Sequence, residues 1–450
     1  MGRILLVSTN TCDTPYAVYP LGMSQVAAAL EGAGHAVRQF DWLVAGRDEA
    51  ALLAAVAEFA PDCIALSIRN IDRTDSLIDR ETGWELAEAR RICRLLKERT
   101  DIPVLAGGAA VSMLPESIRT YIGADHVLCG EGELSAPGTI ANLLSGSTPS
   151  DVVLPPPGDR VCGGAFHGPL YDPDLVRHYW DTSEIMGVQT KRGCPFQCSY
   201  CSYPTLEGSA CRTRPAEDVV EDMKRLLRDH GVNSFFFVDS VFNDPNGRYL
   251  EVVEALLRAE LGVRWSAFFT PRGLDAEAVA LCKRSGLYAV ELGTDAGCDT
   301  TLAALRKPFS WADVAHANEM LVSARIPCCH YIVFGAPEET EATVEEALAN
   351  VERLESCVAF GFSGLRILPG TALRQRAIED GVVTAQDDLF ESVYYVSSTI
   401  DKDWMDRRVE EAWSGRNDRI FPPEDGTRTV ALLHSLGWKG LLWDTMVKFQ

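Results

Sequence analysis

The 450-residue chain contains no run of about 18 uncharged apolar residues, which leaves it without a membrane-spanning helix. Its opening, MGRILLVSTN, lacks the apolar core and small-residue cleavage site of a secretory signal, so a cytoplasmic protein is expected. Positive charge is in deficit, with 42 Lys and Arg against 64 Asp and Glu and a net charge of −22. A phosphate-tracking surface needs the opposite sign, and nucleic acid is not expected as a partner. Low-complexity tracts and short repeats are absent. No G-x-G-x-x-G follows the first apolar run, which weighs against a dinucleotide site. Fourteen cysteines are present; in a reducing compartment they read as free thiols or metal ligands.

What is there begins with alternation. RILLVST (3–9) reads as a buried strand, and GMSQVAAALEGAGHAV as a helix ending in glycines. Strand and helix then alternate to about residue 145, through the apolar runs 36–41, 63–68, 103–108 and 126–130. This pattern predicts a doubly wound, Rossmann-like parallel sheet over 1–147, with any ligand outside the carboxyl ends of its strands. Those ends carry Thr9 and Asn10, then Ser67 through Asn70 (Arg69 among them), Gly107 and Gly108, and Gly130, Glu131 and Gly132. Glycines there admit close approach of a large flat or phosphate-bearing ligand, although ordinary tight turns use the same residues. A Pro-rich stretch within 148–184 reads as a linker.

KRGCPFQCSYCSYP (191–204) gathers Cys194, Cys198 and Cys201 in the spacing C-x3-C-x2-C. A structural zinc site takes four ligands, usually from two C-x-x-C pairs, and no second pair occurs. Three thiolates on a four-iron cluster leave one iron open to a substrate or cofactor. Downstream, five strand-like runs ending in polar or glycine turns follow to about residue 372, separated by helices. With the strand before the cysteines they predict a partial (β/α)6 barrel over 185–372, its site at the carboxyl ends. A small, mostly helical segment, 373–450, completes the chain, and 409–420 reads as helical within it.

The cysteine spacing, with the aromatic Tyr200 before the last thiol, resembles the radical S-adenosylmethionine (SAM) superfamily. The doubly wound domain ahead of the barrel resembles its cobalamin-binding branch, through 19–37, 61–72 and 102–133. The resemblance implies a [4Fe–4S] cluster on Cys194, Cys198 and Cys201, SAM on the open iron, and cobalamin on the first domain. It implies a flat-ring contact for Tyr200, the SAM ribose or amino end for Glu291, and the adenine for Val333 and Gly335 in the fifth-strand motif. Tyr331 replaces the leading glycine of that motif. Asp239, ending the second barrel strand, is expected to contact SAM or substrate, or else to be a strand terminus or helix cap. Arg212 and Arg214 are expected to meet a carboxylate or to form surface ion pairs.

The family's D-x-H-x-x-G, whose histidine ligates cobalt, is missing. Arg69 falls where the lower corrin face would rest, and a guanidinium has donors but no lone pair for cobalt. Either it keeps that face free of water, or it pairs with Asp72 or Asp75. The resemblance implies a methyltransferase acting on an unactivated carbon of a small, natural-product-type molecule, fed by a flavodoxin- or ferredoxin-type donor. A cyclase or rearrangement enzyme with the same cofactors is the first alternative. A cobalamin-binding sensor with an inactive cluster site is the second, and the intact cysteine triplet opposes it.

Overall fold

The computed structural model describes all residues except 15, 73–75, 78–83, 148–150, 157, 167, 448 and 450. The chain divides into two units, one made of described residues up to Asp181 and the other of those from Thr182 onward together with Thr14, Tyr16, Ser76 and Leu77.

In the first unit the strands are β1 (Arg3–Ser8), β2 (Ala36–Asp41), β3 (Cys63–Ser67), β4 (Val104–Gly107), β5 (His126–Leu128) and β6 (Val153–Leu154). They form one sheet in the order β2-β1-β3-β4-β5-β6, with every pair parallel. Parallel neighbours need crossovers, supplied by helices such as Leu21–Gly32, Glu49–Phe59 and Leu86–Arg99. The chain leaves β1 toward one edge and β3 toward the other, so the strand order reverses between them. Doubly wound sheets bind ligands at that crevice. Gly108 is required where β4 ends: its φ is +113°, and a Cβ there would stand 2.3 Å from the Ile68 carbonyl oxygen.

The stretch 148–184 departs from the linker expected of it. β6 extends the sheet edge, and helix Pro173–Ser183 lies almost entirely in the first unit. The Tyr179 hydroxyl donates to the buried Asp41 carboxylate at 3.1 Å, and the Gln39 amide donates to the Leu170 carbonyl at 2.7 Å. Prolines open the segment, but these long-range hydrogen bonds hold it.

The second unit contains β7 (Met186–Val188), β8 (Lys191–Arg192), β9 (Arg212–Thr213), β10 (Ser234–Phe237), β11 (Arg264–Phe269), β12 (Leu287–Asp295), β13 (Cys328–Phe334) and β14 (Cys357–Ser363). β15 (Leu365–Arg366), β16 (Tyr394–Tyr395) and β17 (Arg419–Ile420) complete it. Its large sheet runs β17-β14-β13-β12-β11-β10-β7, again parallel throughout. The first six strands in chain order are the predicted barrel strands. Helix Ala216–His230 shows how the crossovers form: Val219, Val220, Met223 and Leu226 bury one stripe, acids occupy the first turn, and Gly231 closes the end at φ +71°. The C-terminal segment is mostly helical, but the expected helix over 409–420 stops at Trp413. Gly415 turns the chain at φ +73°, and Arg419–Ile420 pairs with β14 as a seventh strand. Among the described residues no helix is long and apolar enough to cross a membrane.

Candidate active site

Because the second sheet is parallel, the ends of β7, β10, β12 and β13 share one edge, and the cysteine loop rises from it. Past β7 the chain must turn sharply. Asp239, just beyond β10, organises this turn: its carboxylate accepts from the Thr190 N–H at 2.8 Å, the Lys191 N–H at 3.1 Å and the Thr190 hydroxyl. The Lys191 ammonium lies 3.6 Å from Asp239 and 3.5 Å from Asp244, with all three side chains essentially inaccessible. A buried carboxylate with three donors and a cation beside it has its desolvation offset. Of the two readings given for Asp239, a contact to SAM or substrate and a strand-terminal or capping role, these hydrogen bonds match the second. Next, Gly193 adopts φ +88°, and a Cβ there would stand 2.2 Å from the Ala210 carbonyl oxygen. Cys194 N–H then donates to Gly208 O at 3.1 Å, and Cys201 N–H to Cys198 O at 3.1 Å.

Cys194 is buried, Cys198 and Cys201 are partly exposed, and none is in a disulfide. Burial raises all three thiols, Cys201 to about 12, while the Lys307 charge opposes the rise at each. Metal binding therefore has to displace protons. Among the described residues no three His, Cys, Asp or Glu side chains converge on a single-ion site. Three unpaired thiols on one pinned loop fit a multi-iron cluster, whose thiolates bind separate irons.

Arg212 and Arg214 serve the same loop. Arg214 is buried and donates to Asp222 at 2.7 Å and to Gln189 O at 3.1 Å, while Arg212 donates to Glu207 O at 2.8 Å. The Tyr200 hydroxyl donates to Asp295 at the end of β12.

Behind the loop, one face of the sheet is apolar. Ala289, Cys329, Val358, Phe236 and Phe360 pack there with Trp443 and Leu441, and Tyr331, Phe362 and Val238 lie partly buried against them. Glu291 stands in this face, 2% exposed. The Tyr331 hydroxyl donates to its carboxylate at 2.9 Å and the Trp443 indole N–H at 3.4 Å. The residue that replaced the motif glycine and the C-terminal segment thus both hold the side chain that the resemblance assigns to the SAM ribose or amino end. Val333 is partly buried on the same strand as Tyr331, two residues on. Gly335 follows at φ +93°, its N–H donating to Glu339 at 3.1 Å. Glu339, not singled out from the sequence, closes that turn by also accepting from Thr343 at 2.9 Å.

In the first unit, Thr9 N–H donates to the Ser67 carbonyl at 3.2 Å, joining the ends of β1 and β3. Asn10 is buried and accepts from the Cys12 N–H at 3.3 Å. Asn70, Gly107, Gly108, Gly130 and Gly132 are partly exposed. Ser112, missed in the sequence, bridges two of the glycine turns: it donates to Gly108 O at 3.0 Å and accepts from Gly130 N–H at 2.9 Å. Glu131 is buried and accepts from the Val161 N–H at 2.6 Å, a structural anchor. Arg69 is exposed and has no hydrogen bond or ion pair among the described residues. Asp72 is buried and bridges through its backbone to Trp84; Asp75 lies outside the described residues. His35 and His126 stand at the amino-terminal ends of β2 and β5, away from the carboxyl edge. An unpaired guanidinium beside glycine turns, with those imidazoles at the opposite edge, fits a corrin held without a histidine from them.

Glu291 generates a pH prediction. Burial pushes its carboxyl up to about 7 against the pull of the Tyr331 and Trp443 hydrogen bonds. The folded state thus holds the proton more tightly than the unfolded one. The stabilisation is complete below the ordinary value near 4.5 and is lost as pH rises through about 7, a change of about 3 kcal/mol. In denaturant titrations, Glu291→Gln should gain on the wild type by about 2 to 3 kcal/mol between about pH 5 and about pH 8.5. A pH-independent difference between the two proteins would remove the assignment.

Comparison with known proteins agrees with this geometry. The B12 binding domain model matches residues 9–139 and the Radical SAM superfamily model residues 188–351. Cytidylyl-2-hydroxyethylphosphonate methyltransferase of Streptomyces wedmorensis is 22% identical over 94% of this chain and 92% of its own. The anaerobic magnesium-protoporphyrin IX monomethyl ester cyclase of Rubrivivax gelatinosus is 25% identical over 58% of this chain and 50% of its own. The structure of the radical SAM methyltransferase TsrM from Kitasatospora setae, with tryptophan and a SAM analog bound, superposes with a TM-score of 0.86. It is 20% identical and covers 99% of this chain and 97% of that one, which shows a shared fold. With a B12 binding domain followed by a radical SAM domain in one chain, the protein carries the paired domains of the cobalamin-binding branch of the radical SAM superfamily.

Proposed function

We propose that the protein is a C-methyltransferase that moves a methyl group from SAM, by way of cobalamin, to an unactivated carbon of a small, natural-product-type molecule. The observation that carries this reading is the pinned three-thiol loop standing at the edge of an apolar, aromatic sheet face. Cys194, Cys198 and Cys201 would hold the cluster, and Val333 and the Gly335 turn would border SAM. When bound, the cluster, SAM and cobalamin supply the electron, radical and methyl chemistry. The protein's part is placement and exclusion of water. Phe236, Phe360, Phe362, Tyr331 and Trp443 form a wall with few polar atoms, the surrounding that protects a reactive species from solvent. Glu291, which Tyr331 and Trp443 hydrogen-bond and hold in place, would meet the SAM ribose or amino end.

Methyl transfer is favoured over cyclisation by coverage. The phosphonate methyltransferase aligns over 94% of the chain and the cyclase over 58%. The test is product analysis of the reduced, cobalamin-loaded enzyme with methyl-labelled SAM and titanium(III) citrate. S-adenosylhomocysteine and 5′-deoxyadenosine are both expected. 5′-Deoxyadenosine without S-adenosylhomocysteine would overturn methyl transfer in favour of rearrangement.

For cobalamin, we propose a seat at the carboxyl edge of the first sheet, among Thr9, Asn10, Ser67, Asn70 and the Gly107–Gly108 and Gly130–Gly132 turns. Arg69 would lie against the lower face and keep out water and ligands, since a guanidinium cannot coordinate metal. Electron paramagnetic resonance of the Co(II) enzyme should show no nitrogen superhyperfine splitting, and Arg69→His should introduce it. Splitting in the wild type would contradict the arrangement, as would an Arg69→His spectrum unchanged from wild type.

A further inference from the structure

Lys307 is a buried cation beside the cysteine loop, its side chain 7% exposed. It follows helix Asp299–Ala304 through a turn in which Arg306 takes φ +56°. The ammonium donates to Asp295, the same carboxylate that accepts from the Tyr200 hydroxyl. It lies 5.8 Å from the centre of the Tyr200 ring and 5.4 Å from that of Phe309. The backbone fixes the approach: Ser199 N–H, between Cys198 and Tyr200, donates to Leu305 O at 2.9 Å. The Asp295 carboxylate is thus the direct counter-ion of the buried ammonium.

We propose that Lys307 and Asp295 form an opposed charge pair that sets the reduction potential of the cluster, Lys307 raising it and Asp295 lowering it. This rests on the cluster assignment made under the proposed function. One electron, from an external low-potential donor, passes to the oxidised cluster, with no bond made or broken. The cluster becomes more negative by one charge. A fixed cation in a poorly screened site favours that change and a fixed anion opposes it. Hydrogen bonds to the sulfurs and local charge are the levers by which proteins move cluster potentials. Tyr200 holds the anion in place, so each charge acts from a defined position. Both are positioning residues, acting through Cys198 and its neighbours.

The test is a potentiometric titration of the full-length chain, reconstituted with iron and sulfide, following the reduced cluster by electron paramagnetic resonance without SAM. At a fixed potential the ratio of reduced to oxidised cluster should be about tenfold lower in Lys307→Met than in wild type, and about tenfold higher in Asp295→Asn. For one electron each is a shift of about 59 mV, in opposite directions. Lys307→Arg, which keeps the charge, should stay near wild type. Shifts of the same sign, or none, would overturn the proposal. If Lys307→Met fails to keep its iron, Asp295→Asn decides, and a potential that is unmoved or more negative would overturn it. A wild-type chain that assembles no cluster would refute the cluster assignment and this proposal together. A wild-type cluster with unmoved variants would refute the charge pair alone.

Discussion

The candidate site depends on one buried carboxylate. Asp239 joins the end of β10 to the start of the cysteine loop through the Thr190 and Lys191 amides and the Thr190 hydroxyl. Without those acceptors, the N–H groups of a sharp turn would be buried unpaired, a cost of about 1 to 3 kcal/mol each. Lys191 supplies the compensating charge, and Asp244 ties the same cation to the N–H groups opening helix Tyr249–Ala259. Loop, second strand and second helix are thus fastened at one point. The fold that supplies this point is generic; the cysteines it presents are not.

From that anchor outward, the surroundings divide by polarity. On the loop side, Arg214, Asp222, Asp295 and Lys307 form ion pairs with little exposure. On the sheet face, aromatic rings meet edge to face, as Phe360 and Trp443 do at 5.6 Å. Glu291 is the carboxyl caught between these regimes, and burial holds it near neutrality. Trp443 comes from the C-terminal segment, so that segment helps build the apolar wall.

Much of this was legible in the sequence because it is local. Cys194, Cys198 and Cys201 lie in one short stretch, and their spacing carries the family resemblance that implies a cluster. Parallel sheets betray themselves as apolar runs between helices, and the strand ends then give the edge where ligands sit. What escaped is what the chain assembles from afar. Glu291 meets Tyr331 across 40 residues and Trp443 across 152, so no local pattern shows which side chains hold its carboxylate. Tyr179 reaches Asp41 across 138 residues, which turns a proline-rich apparent linker into part of the first unit. Asp239 sits where a ligand contact would also sit, and the sequence holds no sign that the loop amides claim it first. Over 409–420 the periodicity continues past Gly415, but the edge of β14 captures Arg419 and Ile420 as a strand.

The central claim is that Asp239, without touching a metal, determines whether the three cysteines can hold a cluster. The direct measurement compares iron and sulfide content, with the electron paramagnetic resonance of the reduced protein, in wild type and Asp239→Ala after identical anaerobic reconstitution. The account predicts that the variant keeps all three thiols, titratable with a thiol reagent, yet loses most of the iron and the cluster signal. An Asp239→Ala protein with wild-type iron, sulfide and spectrum would contradict it.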